Sequence, residues 1–147
     1  MSVSVSVSEP GKEYRMIRFH HERLDAYRTA IEFVVAADAT ASRLPRGRHY
    51  LADQLRRAAT SITLNTAEGA GEFSRGEKSR FYRIARRSAT ECTAILDVCQ
   101  HLELGTPQDF EESRELLHRI ISMLTRLTHV QPGTETETGT ETGIATA

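Results

Sequence analysis

At 147 residues the chain has the length of a single domain, enough to bury a hydrophobic core without metals or disulfides. Its formal net charge of −1 averages over a division: residues 43–87 hold eleven Lys or Arg against four Asp or Glu, while residues 91–115 hold one Arg against seven acidic residues. Cys92 and Cys99 are seven positions apart in a helical pattern, about 10 Å by helical rise, which excludes a disulfide between them and reads as two reduced, buried small residues of a cytoplasmic protein.

Residues 1–18 alternate Ser and Val and then turn polar. The alternation has strand period, but a lone strand has nothing to pair with, so the segment is expected to be a disordered leader. It has neither the basic start of a signal peptide nor the unbroken apolar run of a membrane span, and no membrane partner is expected. The domain proper is expected over 19–130, as four apolar-periodic segments. In the first, Leu24, Tyr27, Ile31, Val34 and Val35 recur at three- and four-residue steps, which predicts a helix from about 21 to 43 that stops before Pro45 and Gly47. The second carries Leu51, Leu55, Ala58, Ile62 and Asn65 on one stripe and ends near Gly69 and Gly71. The third starts at Ser74, with Glu77 completing a capping box, and runs through Phe81, Ile84, Ala85, Ser88, Cys92, Ile95, Cys99 and Leu102. Thr106-Pro107 opens the fourth with a cap and a proline at the first helical position. Its stripe is Phe110, Leu117, Ile120, Leu124 and Leu127. Residues 131–147, a Thr/Glu/Gly run, lack the apolar content to offset ordering entropy and are expected to be a disordered acidic tail.

Short connections force neighbouring helices to run antiparallel, so the predicted fold is all-α, an up-down-up-down four-helix bundle with disordered termini. In the hairpin of the second and third helices, residue numbers at equal height sum to about 149, counted from the turn by helical rise. Ser61 then lies level with Ser88, and Arg57 with Glu91. Together with Asn65 and Glu68 these form a polar seam, in which an Arg57–Glu91 pair can cross as a charge-assisted hydrogen bond. The structural reading of the seam, setting helix register, outweighs a catalytic one, because no His or nucleophilic Cys stands level with the carboxylates. Catalytic residues are therefore expected to be none. Glu115-Leu116-Leu117-His118 is a single Glu-x-x-His, where a di-iron bundle needs two and further carboxylates, so neither metal nor cofactor is expected. The run Gly71–Ser79 resembles a phosphate loop only until Glu77 interrupts it, and no strand precedes it.

The arginines carry the functional expectation. Arg80, Arg83 and Arg87 follow three- and four-residue spacing on one face of the third helix, with Arg56 expected nearby on the second. Arginine's planar fork suits phosphate, and the shortage of aromatic residues points to backbone contacts of little sequence preference. Apolar residues off the main stripes, Leu64, Leu116, Ile121 and Met123, suggest self-association.

Over 54–91, the segment from Gln54 to Gly69 followed by Arg83-Ile84-Ala85-Arg86-Arg87-Ser88-Ala89-Thr90-Glu91 resembles the signature of a bacterial four-helix-bundle family. That family includes the 23S rRNA intervening-sequence protein and the accessory variability determinant of diversity-generating retroelements, and the resemblance extends from about Phe19 to Val130. It implies a ring-shaped homopentamer that binds a reverse transcriptase and RNA through positive charge. The expected function is thus a non-enzymatic oligomer offering a basic surface to RNA, to DNA or to a nucleic-acid enzyme; the alternative is a protein-interaction scaffold without nucleic-acid binding.

Overall fold

The computed structural model describes residues 8–9, 12–13 and 17–129. Four helices follow one another: α1 Asp25–Arg43, α2 His49–Gly71, α3 Arg75–His101 and α4 Pro107–Thr128, with a 3-10 turn at His20–Arg23 before them. Each helix packs on its neighbours in sequence, and α4 closes the square against α1. The neighbours run antiparallel. Ser61 meets Ser88 and Gln54 meets Glu91 across α2 and α3, while Arg86 reaches Thr125 and Thr128 and Arg114 reaches Asp97 across α3 and α4. The all-α bundle read from the sequence is what the chain adopts. The acidic tail lies outside the described residues, as does the Ser/Val run of residues 1–7. Of the leader, Ser8–Glu9 and Lys12–Glu13 pair as a two-residue antiparallel ladder, with Ser8 opposite Glu13 and Glu9 opposite Lys12.

The helix ends show why the elements stop where they do. Ser74 Oγ accepts from the Glu77 backbone N–H at 3.1 Å and starts α3. At Thr106 the Asp109 carboxylate accepts from the Thr106 N–H at 2.7 Å and from its hydroxyl at 3.0 Å, behind Pro107 in the first turn of α4. Lys78 Nζ donates to the Ala70 carbonyl at 3.0 Å, a cation at the negative end of α2. The end of α3 is a Schellman closure built on a non-glycine residue: Leu104 N–H bonds the Cys99 carbonyl, Glu103 N–H bonds that of Gln100, and Glu103 takes φ 57.

Three expectations about the core need correction. On α1 the inner face is Ala26, Thr29, Ala30, Phe33, Ala37, Thr40 and Ala41, whereas Ile31 and Val35 of the expected stripe are 41% and 67% exposed. Both sets have helical spacing; α1 turns its small residues inward, where they allow close helix approach, and Phe33 supplies the bulk. Leu116, expected at the surface, is buried in the core, and Ile121 and Met123 pack partly buried against it. On α3 the buried positions include Tyr82 in place of Phe81, which is half-buried, and Leu102 is 40% exposed.

A candidate nucleic-acid interface

Helix α3 has two faces of opposite character. Ala85, Ala89, Cys92, Leu96 and Cys99 line the inner one, all at most 1% exposed. Arg80, Arg83 and Arg87 stand on the other, and all are exposed. Their spacing of three and four residues keeps them within a narrow arc, about 10 Å from first to last along the axis. Arg80 donates to Glu77 at 3.3 Å and lies with its guanidinium 4.6 Å from the Phe81 ring centroid. That is an exposed pair of small energetic weight, and the stacked guanidinium keeps its outer edge free. Neither Arg83 nor Arg87 has a hydrogen bond or ion pair among the described residues. Arg86 is half-buried behind this row with its Nη1 3.3 Å from Thr128 Oγ1.

Arg56 does not join them. Its guanidinium turns towards α1, donating to Asp38 at 2.8 Å and to Ser42 at 3.0 Å. With Ser61 level with Ser88, Arg56 is also some 13 residues of rise from Arg80, about 20 Å. The spacing along α2 could not show which neighbouring helix position 56 faces.

The polar seam is partly as expected. Ser61 Oγ and Ser88 Oγ are 2.9 Å apart, and Asn65 Nδ2 donates to the Ser61 carbonyl at 2.9 Å and to Ser61 Oγ at 3.1 Å. Glu91, however, accepts from Gln54 at 3.3 Å and not from Arg57. Arg57 and Glu68 are exposed, and with Thr60, Ser61, Leu64 and Asn65 they line a shallow groove on the outside of α2. A three-residue step turns a helix by about 60°, so positions 57 and 68 point outward while 54, 61 and 65 stay on the seam. The seven-residue spacing of Gln54 and Ser61 was the available signal for Gln54.

Glycine permits the closest approach in this hairpin. A Cβ on Gly69 would stand 2.7 Å from Tyr82 Cε1, so the bare backbone of α2 lies against the Tyr82 ring of α3 there. Burial pushes the Tyr82 hydroxyl pKa up, and burial with the charge of Glu91 pushes the Cys92 thiol up to about 12. Cys99 is likewise raised by burial. Such thiols are poor nucleophiles. Glu115 and His118 point to the surface of α4, and among the described residues no group of three His, Cys, Asp or Glu side chains is placed to hold a metal ion. No helix among the described residues is long and apolar enough to cross a membrane.

Residues 22–126 match the model of the 23S rRNA-intervening sequence protein family, and the chain belongs to that family. Among solved structures, a protein of unknown function from the S23 ribosomal protein family of Bacteroides thetaiotaomicron VPI-5482 aligns with a TM-score of 0.66 at 20% identity, covering 75% of this chain and 98% of that one. At that identity the likeness concerns the fold. No curated protein matches the chain.

Proposed function

We propose that this family member is a non-enzymatic, self-associating bundle whose α3 outer face binds the phosphate backbone of nucleic acid, RNA foremost, alone or within a complex with a nucleic-acid enzyme such as a reverse transcriptase. The observation that carries the reading is the row Arg80, Arg83 and Arg87: exposed, closely spaced, and with no ion pair on the latter two among the described residues. Guanidinium groups that stabilise nothing in the bundle are free to donate bidentately to phosphate. The basic stretch lacks tryptophan, so contacts go to the backbone and discriminate little between sequences.

The test is retention of a single-stranded RNA oligonucleotide at increasing salt. Wild type should bind at low salt and release steeply as salt rises, and Arg80→Glu/Arg83→Glu/Arg87→Glu should abolish binding with the helical circular dichroism unchanged. A wild-type protein that retains neither RNA nor DNA at low salt overturns the proposal.

A scaffold role is favoured by a different observation. Ile31 and Val35 on α1 and Leu64 on α2 are 41%, 67% and 55% exposed. The Arg56–Asp38 contact sets the height of the two helices and brings these exposed side chains to a similar level. A second copy covering them, in a ring of five as the family resemblance implies, would remove that apolar surface from water. Light scattering of wild type against Ile31→Glu/Val35→Glu reads it: a monomer in both sinks self-association.

A further inference from the structure

We propose that the end of the bundle formed by the 3-10 turn, the α2–α3 turn and the start of α3 selects single-stranded nucleic acid, with bases stacked on Phe73 and Phe19 and phosphates held by Arg80 and Arg83. The chain has five phenylalanines, and burial divides them. Phe33 and Phe110 are core residues at 0% and 1% exposed, whereas Phe73 and Phe19 are 101% and 60% exposed and Phe81 is half-buried. The three uncovered rings share one end of the molecule. The Arg56–Asp38 pair sets α1 on α2 at numbers that sum to about 94, which brings Asp25 level with Gly69, and the 3-10 turn just before Asp25 packs on α2 as well as α1. By the Ser61–Ser88 register, Arg80 and Arg83 are level with residues 69 and 66, in the last two turns of α2.

The Phe19 ring is held in place. It lies parallel to the His21 imidazole, with an interplanar angle of 4° and centroids 6.0 Å apart, and Tyr27 of α1 meets His21 edge-on at 4.7 Å. A base exposes its face only where it is unstacked, so aromatic rings favour single strands, which arginine contacts to phosphate alone do not distinguish from duplex. Stacking is also tolerant of sequence. Charge at this end is uneven. Residues 64–72 contain Glu68 and Glu72 and no Lys or Arg, and the 3-10 turn adds Glu22; residues 75–83 contain four Lys or Arg against Glu77, which accepts from Arg80, while Asp25 is taken by Arg28. A phosphate is therefore repelled along α2 and attracted along α3. Beside Glu72, the uncharged base is the part of a nucleotide suited to lie on Phe73.

The path of the strand rests on the phosphate-binding reading of the arginine row, and the experiment separates ring from charge. Binding of a single-stranded RNA oligonucleotide at low salt is compared with binding of the duplex it forms with its complement. Wild type should prefer the single strand. Phe73→Ala removes a fully exposed side chain and leaves the fold intact, yet should weaken single-strand binding by about 5–100-fold and leave duplex binding unchanged. Phe19→Ala should add a further loss. Phe73→Trp should keep the wild-type affinity, with a fluorescence quenched by the single strand and not by the duplex. Equal effects of Phe73→Ala on single strand and duplex, or no effect on either while wild type binds, overturn the proposal and leave the phosphate reading standing. A loss accompanied by a lower mass in light scattering means that Phe73 anchors a second copy, and overturns it too. Single-strand binding lowered by Phe73→Ala but unchanged by Arg80→Glu/Arg83→Glu/Arg87→Glu keeps the stacking while the phosphate reading falls, and a wild type that binds neither RNA overturns both.

Discussion

Along α3, Leu96 is 1% exposed and Ala85, Ala89 and Cys92 are fully buried, while Arg80, Arg83 and Arg87 on the other side of the same helix are exposed. Side-chain volume limits the inner positions, because a bundle packed this closely has room for Ala and Cys where α2 and α4 converge. Nothing in the packing limits the outer ones. Stability and proposed function are therefore written on opposite faces of one helix, and substitutions should separate them.

The largest effect belongs to the inner face. Leu96→Ala removes a fully buried side chain and should cost about 2–5 kcal/mol, read from the urea midpoint. Next comes the contact of Gly69 with the Tyr82 ring in the α2–α3 hairpin. Gly69→Ala forces a methyl against a Tyr82 ring that is itself only 5% exposed and has little room to move, so about 1–3 kcal/mol should be lost. Tyr82→Leu in the Gly69→Ala background should recover part of that loss. Equal and additive losses would mean that the two residues do not collide.

An exposed group that serves the fold sharpens the contrast. The Asp109 carboxyl is held below its ordinary value, first by the Thr106 backbone N–H, then by the Thr106 hydroxyl. A depressed folded pKa means that its contribution is fully present above the unfolded value near 3.8 and is lost as pH falls through the folded one. Wild type and Asp109→Ala should thus differ in thermal midpoint at neutral pH, by less than the Gly69 variant does, and converge in strong acid. A constant difference down to pH 2 would show that the cap does not act through the carboxylate.

Much of this was legible beforehand for a physical reason. Caps and stripes are local, so Ser74, Thr106-Pro107 and the four helices follow from residues a few positions apart, and counting rise around a short turn puts Ser61 against Ser88. What the chain does not state locally is which way a helix is rotated in the bundle. Ile31 and Val35 have the same four-residue spacing as Phe33 and Ala37, and the side turned inward is decided by how closely α2 and α4 approach. The same rotation sends Arg56 to Asp38, away from Arg80, and leaves Glu91 to Gln54 instead of Arg57.

The smallest stability effect should come from the outer face, and it is the sharpest test of the comparison. Arg87 is exposed and makes no hydrogen bond or ion pair among the described residues, so Arg87→Ala should shift unfolding by no more than about 0.5 kcal/mol. If Arg87 neutralises a phosphate, the same change should lower the slope of log affinity against log salt by roughly one and weaken different RNA sequences to a similar extent. Arg56→Ala is the matched control: it breaks the Asp38 pair on the α1 side and should leave the slope alone. An Arg56 variant that changes the slope as much as Arg87→Ala would mean that positive charge acts diffusely over the surface, and the α3 row would lose its special standing.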